Sequence, residues 1–417
     1  MPRAIWALLL AFSSSYAHAA PEGSPLSLPD ALRFAVERSP IVRRARKEHD
    51  VVAAARVGAA ALLPANPIIG VALGTRRDTS GSVPPSRGFE GTGRLEQQIE
   101  IGGQRGARIA EADRAKDVAR IRVDIALIEA RARVRAAYVG VLLAERHLAH
   151  AREQEALGGQ VLASAQARVT AGAGTDIDLH LAEVERGRLT QERVLAVLGV
   201  EEALSRLRHL VGLPLGSPLV LTSALDLPAP LTETFDALLL RAHERRAELR
   251  MLDASATQLD ATIVRLHRER IPNPTLSFDV MSQQPGQLYL GGGLAIPLPL
   301  WRRGQGELAV AQANKALQTE ERALFEDELA LEVEQAERKA RLLREAIDVW
   351  QRVSLPAAEQ HLGLVTQGWR AGKLDLFRVV QAAREAADAR RRELELAGAL
   401  WDATITLQRA TGSEELR

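Results

Sequence analysis

Cysteine is absent from all 417 residues, which excludes disulfides, thiolate metal sites and a lipidated N-terminal cysteine. Aromatic side chains make up only 4% of the chain, too few for a core built on large rings. With alanine and leucine abundant, the composition is that of long helices packed through small residues. Charge of one sign is missing too: 54 basic against 53 acidic residues leave +1, and their interspersion argues against a nucleic-acid partner. Beyond the N-terminus no run of about 18 apolar residues escapes a charge, a proline or a glycine, so no transmembrane helix is encoded and any membrane contact must be made by strands. No Walker A, G-x-S-x-G, H-E-x-x-H or dinucleotide fingerprint occurs, and the glycines at 291–293 lie in a strand pattern that opens no helix. An enzyme reading has no support, and no cofactor is implied.

The N-terminus reads as a signal peptide over residues 1–19. Arg3 supplies a positive start, Ala4 to Phe12 an apolar stretch too short to cross a bilayer, and Ala17-His18-Ala19 a cleavage signal, so the mature chain starts near Ala20.

The rest of the chain says nearly everything twice. Asn66-Pro67 returns as Asn273-Pro274, and Gly172 returns as Gly372, in each case roughly 200 residues later. A first repeat spans 27–213, with strands at about 66–76 and 94–102 and a long helical hairpin over 107–213. A linker follows at 214–230. The second repeat spans 231–412, with strands at about 273–282 and 288–297 and a hairpin over 305–412.

From Arg108 to Val169 there is no proline, and as a helix that run is roughly 90 Å long, against about 11 or 12 residues for an ordinary globular helix. Val123, Leu127, Ala130, Val134, Ala137, Val141 and Ala144 keep the four-three spacing of a coiled-coil seam, and Val118, Ile121, Ile125, Ile128 and Ala132 form a second stripe beside it. Leu329, Val333, Ala336, Ala340, Leu343, Ile347 and Trp350 repeat the device. Two seams give each helix a left and a right neighbour, which suits a curved wall better than a closed antiparallel bundle.

Around the Asn-Pro pairs the period changes to two. Ile69, Val71 and Leu73 face away from Gly70, Ala72 and Gly74; Leu95, Gln97, Ile99 and Ile101 face away from Glu96, Gln98 and Glu100. Leu276, Phe278 and Val280 alternate with Thr275, Ser277 and Asp279, and Leu288, Leu290, Leu294 and Ile296 with Tyr289, Gly291, Gly293 and Ala295. One face apolar and the other small or polar is the pattern of a transmembrane barrel with a wet lumen. Four strands cannot close a barrel, for which about eight are needed, so the barrel must be shared between chains. The alternatives are a small soluble β-domain capping a helical body, or a secreted coiled-coil structural protein, which would not need four amphipathic strands.

The chain resembles the TolC-like outer-membrane factors, and within them the Czc-type (cobalt-zinc-cadmium) component of heavy-metal efflux systems. The resemblance runs from LSLPDALRFAVERSP at residue 26 to LQRATG at 407, and is most specific in QQIEIGGQRGARIAEADRA from Gln97 and IPLPLWRRGQGELAVAQANKA from Ile296. It implies a mainly α fold with a small β part: a homotrimer whose twelve-stranded barrel lies in outer-membrane lipid and continues into a periplasmic tunnel of long coiled-coil helices. It also implies a periplasmic membrane-fusion adaptor and an inner-membrane RND (resistance-nodulation-division) pump as partners, with this chain as the exit duct for divalent heavy-metal cations. A multidrug or type I protein-secretion channel is the alternative within the class.

Each glycine turn follows a long helix and opens a new one, as a C′ glycine in the left-handed conformation does. The resemblance places these turns at the periplasmic tip, in contact with the adaptor, through Arg168, Gly172 and Leu179 in the first half and Arg370, Gly372 and Val379 in the second, taken as matching positions. The class often lines its tip aperture with acids at two positions that here hold Arg378 and Gln381, leaving Asp375, with Asp176 and Asp178 in the first half, as pore-lining candidates. Glu96, Glu100 and Asp279 on the polar strand face would favour cations in the lumen. His147 and His150, three apart on a helix, have no Cys or carboxylate cluster to complete a metal site and read as a solvated helix face.

Overall fold

The computed structural model describes residues 25–77, 87–214, 216–284 and 287–413; the signal-peptide reading of 1–19 falls outside them. The first half runs β1 (Pro25–Leu26), α1 (Leu28–Arg38), α2 (Pro40–Ala59), β2 (Ile68–Arg77), β3 (Arg87–Gln98), α3 (Gln104–Thr170) and α4 (Asp176–Val211). The second runs β4 (Val220–Leu221), α5 (Phe235–Arg245), α6 (Ala247–Glu269), β5 (Thr275–Gln284), β6 (Gln287–Ala295), α7 (Gln305–Val349), a π-helical segment (Trp350–Ser354), α8 (Leu355–Arg370) and α9 (Leu376–Ala410).

At 67 residues α3 is about 100 Å long. Its counterpart is continuous from Gln305 to Arg370 but not regular, because Pro356 has no N–H to give and its ring crowds the carbonyl four residues back; the backbone widens into the π-helical turn just before it. Glycines set both ends of these helices: Gly103 and Gly304 precede them at φ 75 and 67, and Gly172 and Gly372 follow them at φ 68 and 72.

The helices lie side by side. Above the middle of the molecule α2 packs on α3, α3 on α6 and α6 on α7; below it α4 packs on α3, α3 on α9, and α9 on α7 and α8. In each long helix the four-three stripe that the sequence suggests is buried against its neighbours. Val134, Ala137 and Val141 are buried with Leu207 and Val211 of α4 and Ala31 and Ala35 of α1. Leu329, Val333 and Ala336 are buried with Leu238 and Leu249, and Ala340 and Ile347 with Leu400 and Ala403 of α9.

A belt crosses this wall at mid-height. The short helices α1 and α5 are capped alike, Ser27 accepting from Asp30 N (3.3 Å) and Thr234 from Ala237 N (3.4 Å). The linker is not bare: β4 pairs in parallel with β1. The buried Tyr138 hydroxyl fixes that pair to α3, donating to the Leu26 carbonyl (2.9 Å) and accepting from Ser223 N (3.3 Å). A two-residue parallel strand leaves too short a pattern to read in sequence.

At one end stands an antiparallel sheet in the order β2-β3-β5-β6. The strand expected at 94–102 instead ends at Gln98, because the Gly102-Gly103 turn redirects the chain into α3; one further bond, Ile99 N to the Pro274 carbonyl (2.9 Å), continues the ladder.

Candidate functional site

The register of the sheet decides which side chains share a face. Ile69 lies opposite Leu95, Leu95 opposite Phe278 and Phe278 opposite Gly292; Val71, Gly93, Val280 and Leu290 form the next row. This face is apolar and uncovered, with Ile69 77%, Val71 71% and Leu290 60% exposed. The opposite face carries Gly70, Arg94, Asp279 and Gly291 in one row and Ile68, Glu96, Ser277 and Gly293 in another. Strands β2 and β6 are the two edges, and among the described residues neither has a partner on its outer side.

The polar face is less acidic than the sequence suggests. Arg94, which lies directly opposite Asp279, donates to it from Nε (2.5 Å) and reaches Glu96 from Nη1 (3.4 Å). Glu100 does not belong to the face at all. It lies beyond β3 with its side chain buried and paired to Arg108, so it cannot line a lumen. The pairing of position 94 with 279 depends on the register between strands from the two halves, and the burial of Glu100 on the turn that follows it.

At the far end of the wall the two helical hairpins meet. The turn after α3 is a Schellman motif, with Gly172 N donating to the Val169 carbonyl (2.9 Å) and Ala173 N to the Arg168 carbonyl (2.8 Å). The turn after α8 repeats it, Gly372 N to Trp369 O (2.9 Å) and Lys373 N to Gly368 O (2.9 Å). The structural counterpart of Arg168 is therefore Gly368, and Arg370 corresponds to Thr170, so the two arginines are two residues out of step rather than matched. Leu179 and Val379 do correspond.

The acids expected at a pore have capping duties here. Thr175 and Asp178 form a capping box, the Thr175 hydroxyl donating to Asp178 (2.8 Å) and accepting from Asp178 N (3.2 Å). Asp375 accepts from Arg378 N (3.0 Å) and caps α9. Asp176 is exposed in the first turn of α4.

Under the turns, Ala165, Ala182, Val365, Trp369, Leu376, Val379 and Val380 form one core cluster joining both hairpins. Val379 is 3% exposed within a single chain, so its side chain is packing and not a contact surface. Arg168 is tied down as well: its guanidinium lies 5.6 Å from the Trp369 ring centre and donates to the Trp369 carbonyl (3.3 Å). What stands clear of the tip is a matched pair that the sequence reading passed over, Ile177 and Phe377 in the first turns of α4 and α9, 80% and 61% exposed.

Glu185 bridges the hairpins. Its buried carboxylate accepts from Arg188 on its own helix (Nη2, 2.5 Å) and from Arg384 on α9 (Nη2, 2.6 Å; Nε, 3.1 Å). Burial pushes this carboxyl up, but the hydrogen bonds and charges of the two arginines together outweigh it and hold the group below its ordinary 4.5. Higher on the wall, His147 and His150 are half-buried against α9, not on a solvated face; burial is the main cause that pushes both below the ordinary 6.5. Among the described residues no group of three or more His, Cys, Asp or Glu is placed to hold a metal ion, and no helix is long and apolar enough to cross a membrane.

One more surface was missed by the sequence reading. Val310, Leu317, Leu324 and Leu331 on α7 recur at every seventh position and are 61%, 56%, 53% and 53% exposed. Their spacing alone was the signal, but the buried stripe beginning at Leu329 on the same helix masks it.

A sheet with one uncovered apolar face and two open edges, set on a wall of helices about 100 Å long, is the architecture of one segment of a membrane duct. The profile of the outer membrane efflux protein family matches residues 31–213 and 242–413. This chain belongs to that family. It is 27% identical over 394 residues to the cobalt-zinc-cadmium resistance protein CzcC of Cupriavidus metallidurans, covering 93% of this chain and 90% of that protein. Crystal structures of CusC share its fold at a TM-score of 0.72 and 17% identity, covering 93% and 92% of the two chains. The open state of the Neisseria gonorrhoeae MtrE outer membrane channel shares it at 0.70 and 18%, covering 93% and 89%. The chain is thus a TolC-like efflux channel component of the outer membrane, a transport duct and not an enzyme.

Because the Glu185 carboxyl is depressed in the fold, its stabilisation is present above pH 4.5 and is lost as the pH falls below that through the depressed value. Scanning calorimetry in detergent is expected to show the melting temperature falling over that range. Glu185→Gln should flatten the fall while costing about 1–3 kcal/mol at neutral pH. An unchanged pH slope in the variant would remove Glu185 as its source.

Proposed function

We propose that this protein is the homotrimeric exit duct of a tripartite efflux system that carries divalent heavy-metal cations out of the cell, fed by an RND pump through a periplasmic adaptor. The correspondence to CzcC along 394 residues carries the metal reading. The open edges of β2 and β6 and the uncovered stripe on α7 support assembly with further copies, since unpaired strand edges in lipid leave backbone groups unsatisfied at several kcal/mol each. Three copies supply twelve strands and a ring of helices.

In this assembly the apolar sheet face meets lipid and the face carrying Arg94, Glu96 and Asp279 lines the lumen. With one arginine set between two acids, that lining attracts cations weakly, which suits a duct that must release what enters it. The turns at Gly172 and Gly372 form the tip that docks on the adaptor, with Leu179, Arg370, Ile177 and Phe377 on the contacting surface. Arg168 acts from behind, holding the second turn through Trp369. Asp176 is the acid of the tip left free of a capping role.

Deleting the gene is expected to raise sensitivity to cobalt, zinc, cadmium, nickel or copper more than to bulky organic drugs in a strain without a second duct. Unchanged metal tolerance with lost drug or protein export would favour the multidrug or type I secretion reading.

A Cβ added at Gly172 or Gly372 meets nothing within 4 Å, so substitution there acts through backbone strain alone, at about 1–2 kcal/mol per residue. The double variant Gly172→Val, Gly372→Val should leave trimer levels in the outer membrane normal and abolish efflux and chemical cross-linking to the adaptor. Normal export by that variant would reduce the turns to mere connections.

A further inference from the structure

We infer that Gln305 clasps the Asn66-Pro67 strand start of a second copy of this chain, reproducing between protomers the contact that Gln104 makes with Asn273 inside one. The inference rests on the ring assembly proposed above and names the residues of its junction.

The two glutamines are held alike. Gln104 follows Gly103 (φ 75) and Gln305 follows Gly304 (φ 67), each at the head of its long helix. Gln104 Oε1 accepts from Gly102 N (2.8 Å), and Gln305 Oε1 accepts from Arg303 N (2.7 Å). With the carbonyl end of the amide fixed in this way, Nε2 is the group left to reach a neighbour.

Their surroundings differ. Gln104 is 1% exposed, and its Nε2 donates to the Ile271 carbonyl (3.0 Å) and to Asn273 Oδ1 (2.9 Å) where α6 gives way to β5. Gln305 is exposed, and its Nε2 falls back on the Trp301 carbonyl of its own loop (2.9 Å). The sequence has one other Asn-Pro, at Asn66-Pro67, where α2 gives way to β2, and it is exposed. In a single chain the two cannot meet, because Gln305 follows edge strand β6 and Asn66 precedes the opposite edge β2.

A second observation points to the same neighbour. Helix α3 packs on α6, the helix that leads into Asn273. By the internal repeat, α7 should pack on α2, the helix that leads into Asn66. The uncovered stripe from Val310 to Leu331 starts just below Gln305, and α2 presents Val51 and Val57 at 71% and 78% exposure. A second copy with its α2 against this α7 covers both surfaces and brings Asn66 to Gln305.

The absence of cysteine makes the test direct. Gln104→Cys with Asn273→Cys serves as an internal ruler: the shortest bismaleimide that links this pair within the chain is applied to Gln305→Cys with Asn66→Cys in intact outer membranes. The expected result is loss of the monomer band on a denaturing gel in favour of a covalent trimer, with neither single variant linked. If the internal pair links and the detergent-extracted particle has trimer mass while the 305 and 66 pair stays monomeric, the clasp is wrong and the ring stands. A particle of monomer mass overturns both. Independently of the ruler, Gln305→Ala at its exposed position should lower the temperature at which the trimer dissociates in detergent; unchanged dissociation also overturns the clasp.

Discussion

Backbone hydrogen bonding in lipid is the constraint on which the rest of this structure depends. Among the described residues of a single chain, strands β2 and β6 each leave one row of N–H and C=O groups without strand partners, and hydrocarbon offers none. A sheet of four strands has one way to answer that demand, which is to continue into the next copy until the ring closes. The uncovered apolar face then turns outward as a matter of the pleat: once Ile69, Leu95 and Phe278 share a row, every second residue of each strand follows them. The helices inherit the same demand, since each strand passes through a glycine turn or an Asn-Pro start into a helix that must stand beside its neighbour.

The internal repeat turns this into an economical assembly. Within one chain the first half meets the second along α3 and α6, sealed at the top by Gln104 and at the tip by Glu185 with Arg384. In the proposed ring the second half of one chain meets the first half of the next along surfaces that stand uncovered in a single chain. The halves are not identical, however. Pro356 and the π-helical turn interrupt only the second long helix, and the tip core takes Trp369 from the second hairpin where the first has Val169. Rigid body and tip therefore differ in how closely they obey the repeat.

Much of this was legible in the sequence because it rests on periodicity. The seam through Val134 and Val141, the alternation in all four strands and the positive φ of Gly172 and Gly372 follow from local patterns of apolar residues and glycine. What was not legible depends on which residues meet across space. Arg94 neutralises Asp279 through a pairing 185 residues apart. Glu100 and Val379 look available in the chain but are buried by elements that arrive later, and Asp178 and Asp375 spend their carboxylates on helix caps. The histidines at 147 and 150 sit on a helix whose polar spacing suggests solvent, yet α9 lies against them.

The mass of the detergent-extracted particle tests the central claim most directly. Light scattering with the detergent contribution subtracted should give three chains per particle, insoluble without detergent. A single chain, stable in water alone, would contradict both the shared barrel and the tunnel built beneath it.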